Sequence, residues 1–213
     1  MPTIPTATYE SIYNQYIAAM KWMEMLGIKL SSGRTTHYER ILRHWKDKYE
    51  TATEIEAEEI FPDFVNSMVE VFDFISIYNA FHNMPLQDLE NISQKLQKGV
   101  NGPLHAFEET SNSTSARNFL FEVSVAARAH YPIKNVVAIL DAQSDTGVKL
   151  NGKKLWIECK RVTNLERIRP NVRKASIQLE VVLGNKIGSM SFRVESDTLL
   201  TARPAKVDFV VNA

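Results

Sequence analysis

Apolar residues recur at helical spacing through most of the first hundred positions, then give way to short runs with strand character. In residues 9–26, Ile12, Tyr16, Ala19 or Met20, and Met23 fall three or four apart. That spacing predicts an amphipathic helix, which Gly27 and the Ser31-Ser32-Gly33 cluster break. Thr36-His37-Tyr38-Glu39 matches a capping box, with Thr36 as N-cap and Glu39 reaching back, so a second helix is expected from there to about Tyr49. Pro62 suits the first turn of a third helix, whose Val65, Met68, Phe72 and Ile75 form an apolar stripe. A short helix over 86–96 closes near Gly99. His37, His44, His82, His105 and His130 share no metal-ligand spacing with a cysteine or an acidic pair and read as surface or packing residues.

Residues 99–115 are punctuated by Gly99, Asn101, Gly102, Pro103, Ser111, Asn112 and Ser113. They divide a helical domain, 1–105, from a second domain, 114–213. A helix is expected from residues 113–115 to about His130. Its Phe119, Leu120, Val123, Ala126 and Ala127 cover one broad side, Ser124 and Arg128 mark the wet side, and Glu122 turns toward the apolar sector. Val136 to Leu140 reads as a buried strand. A hairpin follows, then a polar connection over 161–170. Next come a helix over 171–183, stopped by Gly184, a strand over 187–194 and a last β-rich run over 207–211. The order α-β-β-β-α-β predicts an α/β core, a mixed sheet flanked by helices, behind a helical first half; the chain is α+β overall.

The hairpin holds the candidate chemistry. Asn151-Gly152 between apolar-rich runs predicts a type I′ turn, which needs positive φ at both central residues. A two-residue loop sets Leu150 opposite Lys153 and Val148 opposite Leu155. Extended to its end, that register sets Asp145 opposite Glu158. Alternation then puts Asp145, Glu158 and Lys160 on one face, with Leu155, Ile157 and Cys159 on the other. Facing carboxylates repel and weaken a sheet, whereas a divalent cation between them reverses the sign. The hairpin thus predicts a metal site with a lysine beside it. Asp141 shares the face parity of Asp145, but its register position is opposite Val162.

Composition changes this picture only at a few points. Hydrophobic content of 44% and charged content of 23% are those of a soluble globular protein. Lys+Arg and Asp+Glu each total 25, so net charge is silent on nucleic acid, but its distribution is uneven. Lys153, Lys154, Lys160, Arg161, Arg167, Arg169, Arg173 and Lys174 gather near the hairpin, as expected beside a phosphate-bearing substrate. The single cysteine, Cys159, allows no intramolecular disulfide and fits a reducing compartment. The amino terminus carries no signal-peptide pattern, and no apolar run approaches the ~18 residues of a membrane span, so a cytoplasmic location without membrane contact is expected.

Glu122 on a helix, Asp145 at the start of a second strand and Glu158-Cys159-Lys160 on a third, followed by a helix, resemble the PD-(D/E)XK, or restriction-endonuclease-like, nuclease superfamily. The resemblance covers about residues 114–194. It implies metal-binding carboxylates at Asp145 and Glu158, an active-site lysine at Lys160 and a helix-borne acid at Glu122. It also implies a glutamine beside the site at Gln178. Two features depart from the pattern: Ser144 rather than proline precedes Asp145, and Val182 stands where some branches carry tyrosine after the glutamine. The implied activity is Mg²⁺-dependent hydrolysis of DNA, with Mn²⁺ as substitute. The ion would be held by Asp145, Glu158 and the backbone carbonyl of Cys159 and would act as a Lewis acid. DNA is the expected partner, and a homodimer is among the assemblies the resemblance allows. Two other readings stand beside this one: a non-catalytic nucleic-acid-binding or assembly module on the same sheet, and a plain ion pair between Glu158 and Lys160.

Overall fold

The computed structural model describes residues 7–30, 33–105, 108–110, 115–140, 145–162, 165–183 and 188–194. The expected strand over 207–211 and the competing Asp141 lie outside them.

Helix α1, Tyr9–Met25, starts where Thr8 accepts a 3.1 Å bond from the Ser11 N–H. It buries the expected Ile12, Tyr16, Ala19, Met20 and Met23. Helix α2, Arg34–Lys48, differs from the expectation. Its N-cap is Gly33, with φ of 116°, and Thr36 lies within the first turn, its hydroxyl directed at the Leu30 carbonyl at 3.4 Å. The cause is tertiary. Arg34 is only 1% exposed, donates to the Gly99 carbonyl and pairs with Glu70 at 3.1 Å, which draws the helix start three residues back. The capping box belongs to α3, Glu54–Phe81. Thr53 accepts from the Glu56 N–H at 3.3 Å while Glu56 accepts from the Thr53 N–H at 2.9 Å. Pro62 sits inside this 28-residue helix rather than at its start. The bond it forfeits is outweighed by the buried Val71, Phe74, Ile75, Ile77 and Phe81 downstream. The expected stripe is therefore rotated: Ile75 is buried, Val65 and Phe72 are exposed.

A 3₁₀ turn, Leu86–Leu89, leads into α4, Glu90–Gly99, which buries Ile92 and Leu96. Helix α5, Ser115–Ala129, is packed on two sides. Leu120, Val123, Ala126 and Ala127 join one apolar cluster with α1, α3 and α4. Phe121 joins a second with Val148, Ile157 and Cys159 of the sheet. The larger cluster has members on both sides of residues 99–115. Ser124, expected on the wet side, is 1% exposed because it donates a 2.7 Å bond to the buried Asp73 of α3.

Among the described residues the strands form one four-stranded mixed sheet in the order β1 (Val136–Ile139), β2 (Thr146–Leu150), β3 (Lys153–Val162), β4 (Gly188–Val194). The β1–β2 and β2–β3 pairs are antiparallel and β3–β4 is parallel. The chain reaches β4 through α6, Ile168–Leu183, which packs on β3. Asn151 and Gly152 have φ of 49° and 80°, and the register pairs Leu150 with Lys153 and Val148 with Leu155 as expected. Helices and a mixed sheet together make the chain α+β. No helix is long and apolar enough to cross a membrane among the described residues.

Candidate active site

The β2–β3 ladder starts at Thr146 paired with Ile157, so Asp145 stands one residue ahead of it. From there its carboxylate turns to the neighbouring strand. Oδ2 accepts the Cys159 N–H at 2.7 Å and lies 3.5 Å from Lys160 Nζ. Lys160 Nζ also donates to Glu158 Oε2 at 2.8 Å. The structure thus brings Asp145, Glu158 and Lys160 together, with one ammonium shared between two carboxylates. Gly147 clears the space beside them. A Cβ there would lie 2.8 Å from the Trp156 ring and 3.0 Å from the Leu155 carbonyl, so only glycine lets Trp156 lie across the strand.

Glu122 reaches the group indirectly. Its Oε2 accepts a 2.6 Å bond from Nζ of Lys95 on α4, and the same Nζ donates to the Asp145 main-chain oxygen at 2.5 Å. Lys95, Glu122, Asp145, Thr146, Val123 and Ile92 line a narrow cleft between α4, α5 and the start of β2. The sequence gives no sign of Lys95: it lies 50 residues from Asp145, in the half of the chain without recognisable chemistry.

Burial governs the electrostatics. It raises the Glu158 carboxyl above the usual carboxylate range; the Lys160 bond opposes this, and the Asp145 charge adds to it. Burial likewise raises Glu122, partly offset by Lys95. For Lys160, burial acts to lower the pKa, but the bond to Glu158 and the charge of Asp145 outweigh it and the ammonium is held above its ordinary value. Burial pushes the Cys159 thiol far up, and its side chain belongs to the Phe121 cluster, so it is no nucleophile.

Three carboxylates, Glu122, Asp145 and Glu158, face two ammonium groups, Lys95 and Lys160. Acidic groups thus outnumber ammonium groups by one in this set, where burial disfavours unpaired charge. Among the described residues no group of three or more His, Cys, Asp or Glu side chains is arranged to hold a metal ion. A divalent ion at this site would have Asp145 and Glu158 as its side-chain donors. Two hard carboxylates with the remaining positions left to main chain and water fit Mg²⁺, which dehydrates reluctantly.

Gln178, on α6, has its Oε1 buried without a hydrogen-bond partner among the described residues, and no described contact joins it to Asp145, Glu158 or Lys160. The basic cluster is split. Lys153, Lys154, Arg167, Arg169, Arg173 and Lys174 are exposed. The Arg161 side chain is only 2% exposed and is paired with Glu109. It belongs instead to a buried chain of ion pairs. Glu109 meets Arg117 at 3.1 Å, Arg117 bonds Glu70, and Glu70 meets Arg34. His37 and His105 turn Nε2 toward Asp63 at 3.7 and 3.8 Å. Arg40 donates to Nδ1 of His37 at 2.8 Å, which leaves the His37 proton on Nε2 and unsuits it as a ligand.

No protein-family model matches the chain, and neither a curated protein nor a solved structure matches it.

Proposed function

We infer that the protein is a metal-dependent nuclease that hydrolyses DNA phosphodiester bonds at Asp145, Glu158 and Lys160. The observation that carries this is the shared ammonium: Lys160 lies 2.8 Å from Glu158 and 3.5 Å from Asp145, on a strand where both carboxylates converge. Further support comes from the element order and mixed sheet. Helix α5, three antiparallel strands, helix α6 and a parallel fourth strand are the arrangement expected of a restriction-endonuclease-like core.

Asp145 and Glu158 would hold Mg²⁺ or Mn²⁺, with the Cys159 carbonyl as a third oxygen. The ion supplies Lewis-acid stabilisation of charge on the phosphoryl oxygens. Asp145 is oriented for this by the Cys159 N–H, which fixes one of its oxygens. Lys160, which bonds both carboxylates, would pair with the scissile phosphate or hold the attacking water. The exposed Lys153, Lys154, Arg169, Arg173 and Lys174, on β3 and α6, would supply positive charge for a polyanion.

Cleavage of supercoiled plasmid and single-stranded DNA by wild type and Lys160→Ala, with Mg²⁺, Mn²⁺ or EDTA, tests this. Metal-dependent cutting that Lys160→Ala loses is expected. A Lys160→Ala protein cutting at the wild-type rate removes the lysine from the mechanism. The second reading, a non-catalytic DNA-binding or assembly module, is favoured by one observation: Lys160 already neutralises part of both carboxylates, as it would in a resting ion-pair cluster. Retained DNA binding with no cutting in either metal would select it.

A further inference from the structure

Lys95 belongs to the helical half of the chain, yet its ammonium enters the candidate site. One Nζ bonds Glu122 Oε2 at 2.6 Å and the Asp145 carbonyl at 2.5 Å, tying α4, α5 and the start of β2 at a single point. The Lys95 side chain is 28% exposed and that of Glu122 14%, so the pair is largely shielded from water. Lys160 sits on the other side of Asp145, against its carboxylate. The two lysines thus divide the acids. Lys160 serves Asp145 and Glu158; Lys95 serves Glu122 and the main chain from which the Asp145 carboxylate projects.

A carboxylate oxygen and a backbone carbonyl converging on one point are the donors a hard cation would use. Here that point is filled by a protein cation on a fixed helix. We propose that Lys95 takes the place of a second divalent ion, so that the site holds one ion, between Asp145 and Glu158, with Glu122 not among its ligands. This rests on the metal-dependent reading above. Lys95 is a positioning residue: it touches Glu122 and the Asp145 backbone and has no described contact with either atom set that would hold the ion. A second ion would have to displace its ammonium from both oxygens at once. With Lys95 removed, Glu122 and the Asp145 carbonyl become unpaired acceptors in a partly shielded cleft, and the local charge falls by one unit, both of which favour a divalent ion.

The test is titration of the full chain with Mn²⁺, following heat and the electron paramagnetic resonance signal of free Mn²⁺. One bound ion is expected for the wild type and for Lys95→Arg. Two are expected for Lys95→Met, and one again for the double variant Lys95→Met/Glu122→Gln. Circular dichroism and melting establish that each variant is folded. Should Lys95→Met not fold, Glu122→Gln in the wild-type background carries the test: it keeps its single ion if the proposal holds. Two ions on the wild type, one ion on a folded Lys95→Met, or loss of the ion in Glu122→Gln would each overturn it. A wild type that binds no Mn²⁺ would overturn the metal-dependent reading itself, and this inference with it.

Discussion

The Cys159 N–H donates a 2.7 Å hydrogen bond to Oδ2 of Asp145. This bond continues the β2–β3 connection past the last ladder pair, Thr146 with Ile157, by means of a side chain. It therefore couples the strength of the hairpin end to the aim of a carboxylate. Asp145→Asn keeps an oxygen acceptor and should fold normally, while Asp145→Ala removes it. We expect Asp145→Ala to cost about 1–2 kcal/mol in urea denaturation and Asp145→Asn distinctly less. Equal losses for the two substitutions would mean that the bond contributes nothing to the hairpin.

Gly147 stands under Trp156 with no room for a methyl group. A Cβ would come within 2.8 Å of the ring and 3.0 Å of a backbone oxygen, which cannot swing aside. Gly147→Ala should destabilise by roughly 1–3 kcal/mol through overpacking. Thermal melting checks this, and an unchanged Tm would show that Trp156 does not lie across Gly147.

Thr36-x-x-Glu39 and Thr53-x-x-Glu56 both have capping-box spacing, and of these two it is Thr53 to Glu56 that has the capping geometry. Thr53→Ala should cost about 1 kcal/mol. Thr36→Ala, at an exposed position in the first turn of α2, should stay within about 0.5 kcal/mol of wild type. The acid partner adds a pH dependence. The Thr53 N–H bond lowers the Glu56 pKa from its ordinary 4.5, so its contribution is present above that value and lost as pH falls through the depressed one. The stability gap between wild type and Glu56→Ala should therefore close as pH falls below the ordinary carboxylate range. A gap that widens instead would contradict the cap.

Arg117 is a keystone of the buried ion pairs. It bonds Glu70, meets Glu109 at 3.1 Å and donates to the Pro103 and Leu104 carbonyls at 3.1 and 2.8 Å. Its removal leaves two buried carboxylates short of a partner and releases the segment that joins α4 to α5. Arg117→Met should cost about 3–5 kcal/mol by chemical denaturation. A loss below about 1 kcal/mol would mean that the network is not formed.

What the sequence reveals and hides follows from the range of the forces. Asn151-Gly152 fixes a register because turn geometry and strand alternation are local, and so the sequence by itself groups Asp145, Glu158 and Lys160. Helix α5 was legible from periodicity and β3 from the hairpin for the same reason, whereas β1, expected as a buried strand from its apolar run, is an edge strand that exposes Val137 and buries only Ala138. Lys95, Arg34 and Glu70 left no trace, because each acts through a partner tens of residues away that carries no pattern of its own. The same long-range pairing misled local rules: Arg34 moved the start of α2 off Thr36, and Asp73 drew Ser124 into the core. Pro62 marked a helix start by propensity, yet burial downstream carried α3 straight through it.

In the proposed reaction Glu158, with Asp145 and Lys160, performs metal-dependent hydrolysis. Glu158→Gln is the most direct probe, since it keeps shape and an acceptor for Lys160 while removing the charge. The measurement is the rate of plasmid nicking by wild type and Glu158→Gln in Mg²⁺, with EDTA as control. Cutting by the wild type that EDTA abolishes, and that Glu158→Gln slows by at least ~100-fold, is the predicted result. Equal rates for the two proteins, or cutting that survives EDTA, would contradict it.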